Sequence, residues 1–179
     1  SQGGIATAGH LQLAASGSTR LGQDGTLSAA QDITLQAASG TQSAGTIQAG
    51  QELHYSGGTL SNSGTVVAQN ADIDAGLANQ GKVYIQNQLS VTGSSSNSGG
   101  IAANTLTMAA LTNSGKVGAQ TASLGSTSNA GEITANTIDI SGGLSNTGAV
   151  GAGDSLTVSG GNTSNDGSIT GGTVSISGG

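Results

Sequence analysis

Nine carboxylates, two histidines and three Lys or Arg side chains supply all the charged chemistry of this 179-residue chain. The acids Asp24, Asp32, Glu52, Asp72, Asp74, Glu132, Asp139, Asp154 and Asp166 are spread over its length, so only the fold can make them converge. The tightest group is Glu52, His54, Asp72 and Asp74. Such a mixed nitrogen and oxygen set can hold a divalent cation or move a proton. Its two segments share an alternating apolar pattern, and aligning Tyr55 with Ile73 places His54 over Asp72 on an outward face. The expectation there is a weak surface ion pair, with no catalytic residue, no metal site and no cofactor.

Enzymes that cleave acidic polysaccharides need several carboxylates on neighbouring strands, backed by Arg or Lys to hold the anionic sugar. Arg20, Lys82 and Lys116 are widely separated in sequence and are expected to lie far apart in the molecule, which argues against such an enzyme. So few cations also exclude a phosphate-binding nucleic-acid surface and a polybasic membrane anchor. No apolar run approaches the roughly 18 residues of a membrane span. With no cysteine there is no disulfide, no catalytic thiolate and no Cys-based zinc site. The two tyrosines are the only aromatics: Tyr55 falls at an inward position, and Tyr84 at an outward one where it could touch a sugar or a protein.

The elements that must position these residues form a repeat. Gly4, Gly25, Gly45, Gly64, Gly81, Gly99, Gly115, Gly131, Gly148 and Gly167 recur every 16 to 21 residues, which makes ten units. Two residues after each marker from Gly25 onward stands an aliphatic, from Leu27 and Ile47 to Val150 and Ile169. Later in each unit comes an alternating pair, such as Ile33 and Leu35, Leu53 and Tyr55, or Ile138 and Ile140. Period two denotes β-strands, and no 3.6-residue stripe competes with it. One unit cannot bury enough apolar surface to fold alone, since ordering its backbone costs about 1 to 2 kcal/mol per residue. Stacked in register, each aliphatic falls on its counterpart and each strand pairs in parallel with the next level at about 4.8 Å. The expected fold is therefore all-β, a parallel β-helix of about ten coils of 16–21 residues. Residues 1–179 read as one uncapped excerpt of a longer array.

Seven consecutive units carry Asn two residues before the marker: Asn62, Asn79, Asn97, Asn113, Asn129, Asn146 and Asn165. They are expected to form a structural ladder at one corner, the stacked amides bonding to each other along the rod. Asn and Gly also suit corners because both reach left-handed backbone angles. The calcium-binding Gly-Gly-x-Gly-x-Asp repeat is absent, Gly160 to Gly167 being only a loose echo. An ice-binding solenoid would require a flat face of regularly spaced Thr, whereas the Thr positions wander between units.

The stretches Leu60-Ser-Asn-Ser-Gly-Thr-Val-Val-Ala, Leu77-Ala-Asn-Gln-Gly-Lys-Val and Leu111-Thr-Asn-Ser-Gly-Lys-Val-Gly-Ala resemble the filamentous haemagglutinin repeat. That repeat occurs in two-partner secretion exoproteins, among them filamentous haemagglutinins and contact-dependent growth inhibition effectors. The resemblance spans nearly the whole chain and implies a right-handed β-helix, secreted and displayed on a Gram-negative cell surface. It implies an outer-membrane secretion transporter as export partner, and a shaft that projects adhesive, receptor-binding or toxin parts in cell adhesion and virulence. The alternative is that the shaft itself binds a host glycan or a receptor on a neighbouring bacterium; a further alternative is a β-helix polysaccharide lyase or hydrolase.

Overall fold

The computed structural model describes residues 3–177, so residues 1, 2, 178 and 179 lie outside the described part. Among the described residues there is no helix, and 21 strands join one continuous sheet. Every pairing is parallel and links one unit to the same segment of the next. The chain is therefore a β-solenoid, its levels set by the glycine-marked units. At the usual strand spacing of about 4.8 Å, ten levels make a rod roughly 48 Å long.

The register shows why. One inward column runs Leu27, Ile47, Val66, Val83, Ile101, Val117, Ile133, Val150, Ile169, one residue per level. A second face contributes Ile33, Leu53, Ala71, Leu89, Leu106, Ala122, Ile138 and Leu156, with Leu35, Tyr55, Ile73, Val91, Met108, Leu124, Ile140 and Val158 beside them. All but two of these residues, Leu27 and Ile169, are at most 3% exposed. Leu60, Leu77, Leu111 and Leu144 close the third side. Burying each such aliphatic contributes about 1.5 to 3 kcal/mol, and because each touches equivalents above and below, the gain is shared between levels.

Units of unequal length stay in register because the surplus residues are absorbed as bulges, for instance between Ala68 and Asn70, Ile85 and Gln88, and Ala135 and Thr137. Inward members of the outermost levels, Ile5, Val174 and Ile176, are 43 to 46% exposed, having a neighbour on one side only.

The marker glycines serve a different purpose from the one expected. Among the described residues no non-glycine has a positive φ, and the glycines that do are Gly40, Gly57 and Gly161, none of them a marker. What the markers need is room. A Cβ on Gly64, Gly81, Gly99, Gly115, Gly131, Gly148 or Gly167 would sit 2.0 to 2.2 Å from the carbonyl oxygen of the preceding marker. The corner brings backbone onto backbone, and only a residue without a side chain fits there.

Candidate functional site

At the corner ahead of the seven markers from Gly64 to Gly167 the asparagine side chains meet. Asn62 Nδ2 donates to Asn79 Oδ1 at 2.8 Å, and the same bond repeats at 2.8 Å from Asn79 to Asn97, Asn97 to Asn113, Asn113 to Asn129 and Asn129 to Asn146. A sixth, from Asn146 to Asn165, measures 2.7 Å. Each Nδ2 from Asn62 to Asn146 also faces the carbonyl of its own marker glycine at 3.2 to 3.3 Å and a carbonyl one level on at 3.0 to 3.1 Å. Asn62 through Asn146 are 1 to 2% exposed, while Asn165 is exposed. Buried amides are tolerated because their bonds are made. The ladder stops below Asn62, where the in-register residue is Ser43, a buried hydroxyl with no hydrogen-bond partner.

The acidic cluster comes together in part. His54 is in register with Asp72, and their Nδ1 and Oδ2 atoms lie 3.9 Å apart with both side chains about two-fifths exposed. Asp74 joins them, one potential ligand atom from each of the three lying within 4.8 Å of the others. Glu52 stands aside, in register with Asn70, its backbone N–H donating to Asp32 Oδ1 at 3.1 Å. Asp32 meets His10 at 2.7 Å, a pair the sequence reasoning missed although both residues occupy the step before the alternating apolar pair. Water competes freely for such exposed groups, so pairs of this kind contribute little.

Two expectations need correction. Lys82 and Lys116 are not far apart: Lys82 pairs with Gly100 and Gly100 with Lys116, so both lysines stand in one outward column two levels apart. The 34-residue separation is wound into two coils. The next level of that column holds Glu132, whose Oε2 lies 3.3 Å from Lys116 Nζ. Beside it runs Tyr84, Ala102, Gly118, Thr134. Tyr84 is 57% exposed, whereas Tyr55 is fully buried and its hydroxyl donates to the Thr59 carbonyl at 3.4 Å. Arg20 lies on another side, in the column of Gln42.

The threonines do not wander once wound. Thr105, Thr121, Thr137, Ser155 and Thr173 form one column, with Thr107, Ser123, Asp139, Thr157 and Ser175 beside it. Serines and Asp139 interrupt the row of methyl groups that a uniform Thr face would present.

No helix among the described residues is long and apolar enough to cross a membrane. No curated protein and no solved structure matches the chain. A family model described as haemagglutinin repeat matches residues 6–148 and again 133–179. That match and the stacked parallel coils agree on one assignment: this chain belongs to the haemagglutinin repeat family.

Proposed function

We propose that this chain is shaft: a length of rigid rod within a large secreted or surface-displayed bacterial adhesin-type exoprotein, carrying adhesive, receptor-binding or toxin parts away from the cell. The observation that supports it most directly is the unbroken register. Three inward columns and an asparagine ladder run through consecutive levels, so bending the rod would have to open the core and the amide chain together. The winding is right-handed, the hand that parallel strand crossovers take in about 98% of cases. Export passes through an outer-membrane two-partner secretion transporter of a Gram-negative bacterium, a route that suits a chain with no cysteine to crosslink before folding. The rod is not an enzyme. Among the described residues the one group of three potential ligands, His54, Asp72 and Asp74, lies open to water, and Lys82, Lys116 and Arg20 all stand in columns of other faces.

Deleting whole levels from the parent exoprotein tests the reading. Removing residues 26–64, two complete units from marker to marker that lie clear of the Lys82 to Glu132 column, is expected to leave adhesion or toxin delivery intact and to shorten the filament by about 10 Å. Loss of target binding with the filament otherwise folded would refute the spacer role.

A further inference from the structure

We propose that the outward furrow bounded by Lys82, Tyr84, Lys116 and Glu132 binds a carboxylate-bearing sugar. The inference stands apart from the spacer role, because it concerns binding by the rod itself.

The glycines of the furrow floor differ from the corner markers. The corner markers are glycine because a Cβ would strike backbone, but a Cβ on Gly100 or Gly118 would meet nothing within 4 Å. Gly100 opens the strand Gly100–Asn113 and Gly118 closes the strand Lys116–Gly118. Neither has a positive φ or a neighbour that a Cβ would strike, so alanine would fit at both and would stabilise the chain by about 0.4 to 1 kcal/mol, its unfolded state having less freedom to lose. What both do is keep side chains out of the space beside Lys82, Tyr84 and Lys116. With Ala102 they floor a furrow of about 470 Å³, within the range of small-ligand sites.

Its walls suit one chemistry. Two of the three Lys or Arg side chains of an otherwise acidic chain share this column, one on each side of Gly100. Two levels separate their backbones by about 10 Å. Lys116 Nζ turns toward Glu132 in the structure, but its side chain is 83% exposed and its four-carbon stem can swing back over Gly100 to share one anion with Lys82. Tyr84 is the exposed large hydrophobic that lies away from the outermost levels, and beyond it the column drops to Ala102 and Gly118, leaving the ring as an open wall. An aromatic face with a polar tip accepts the apolar face of a sugar ring. Glu132 holds Lys116 at 3.3 Å and closes the far end, where its carboxylate and the Thr134 hydroxyl face the ring hydroxyls. An acidic peptide would satisfy the lysines but would offer Tyr84 no ring.

The test is calorimetric titration of the 179-residue chain with a hyaluronan tetrasaccharide. Controls are the same tetrasaccharide with its carboxyls reduced to alcohols, and tetraglutamate. The acidic sugar is expected to bind, more weakly as salt rises, and both controls to bind roughly tenfold or more weaker. Gly100→Thr, which fills the gap between the lysines, is expected to abolish binding while leaving the thermal midpoint unchanged or higher. Tyr84→Ser and the double variant Lys82→Gln/Lys116→Gln are expected to weaken it comparably. The proposal is overturned if the acidic tetrasaccharide does not bind, if either control binds as well, or if folded Gly100→Thr binds like the parent.

Discussion

Replacing Asn113 with alanine interrupts the amide ladder at its centre, and the consequence can be worked out bond by bond. Asn113 Oδ1 accepts from Asn97 Nδ2 at 2.8 Å, and Asn113 Nδ2 donates to Asn129 Oδ1 at 2.8 Å. Both bonds go, at a net loss of about 1 kcal/mol each. With them go the longer bonds of Asn113 Nδ2 to the Gly115 and Glu132 carbonyls, at 3.2 and 3.1 Å, and of the Gly115 N–H to Asn113 Oδ1, at 3.2 Å. Asn97 Nδ2 keeps the Gly99 and Lys116 carbonyls, at 3.3 and 3.1 Å. Asn129 Oδ1 loses its ladder donor in a position that is 1% exposed, and a buried acceptor left unpaired costs about 1 to 3 kcal/mol more. The ladder bonds and the orphaned acceptor alone come to about 3 to 5 kcal/mol, a lower bound on the loss. Asn165→Ala is the internal control: it removes one ladder bond, at an exposed end, and should cost about 1 kcal/mol or less. Urea unfolding of the 179-residue chain, followed by far-ultraviolet circular dichroism, measures both. If Asn113→Ala loses no more stability than Asn165→Ala, the ladder is not a cooperative buried network and the reasoning fails.

Glycine positions should divide by environment. Gly115→Ala, whose Cβ would lie 2.2 Å from the Gly99 carbonyl oxygen, should lower the thermal midpoint severely, whereas Gly118→Ala should leave it unchanged or raise it by the equivalent of about 0.5 to 1 kcal/mol. Ser43→Asn should lengthen the ladder by a rung, giving the new amide Asn62 Oδ1 as acceptor, and should stabilise the chain by about 1 kcal/mol in the same urea assay. Tyr55→Ala opens a cavity in the core column and should cost about 3 to 5 kcal/mol, while Tyr55→Phe, losing only a 3.4 Å bond, should cost about 1 kcal/mol or less.

How much of this could be read in advance depended on whether a feature repeats along the chain or across the coils. The alternation of Leu53 and Tyr55 or Ile138 and Ile140, and the aliphatic after each marker, repeat along the chain, so strands and inward columns followed from counting residues. The seven Asn positions stood out for the same reason. Distances across coils were obscured because unit length varies from 16 to 21 residues and bulges absorb the difference. Lys82 and Lys116, each directly after a marker, and Thr105, Thr121 and Thr137, each six residues after one, are exceptions: their columns follow from the markers, and they look remote or unaligned only when separation is counted along the chain. The markers are legible in the sequence but the reason for them is not: closeness of two carbonyl-bearing corners depends on the stack, whereas a left-handed φ is a property of one residue. The same stack distinguishes Gly99, which has no room for a side chain, from Gly100 beside it, which has.

The central claim is that the rod rises by one strand spacing per unit, and spin labels measure that rise directly in a chain with no native cysteine. Gln42, Ser61, Ala78, Ser96, Thr112, Ser128, Ser145 and Ser164 form one outward column over eight consecutive levels. Labelled pairs Gln42→Cys/Thr112→Cys, Gln42→Cys/Ser128→Cys and Gln42→Cys/Ser164→Cys span four, five and seven levels. Pulsed electron-electron resonance should give narrow backbone-referenced separations near 19, 24 and 34 Å, increasing linearly at about 4.8 Å per level. Broad distributions, or a separation that fails to grow by about 10 Å between the second pair and the third, would contradict the stack.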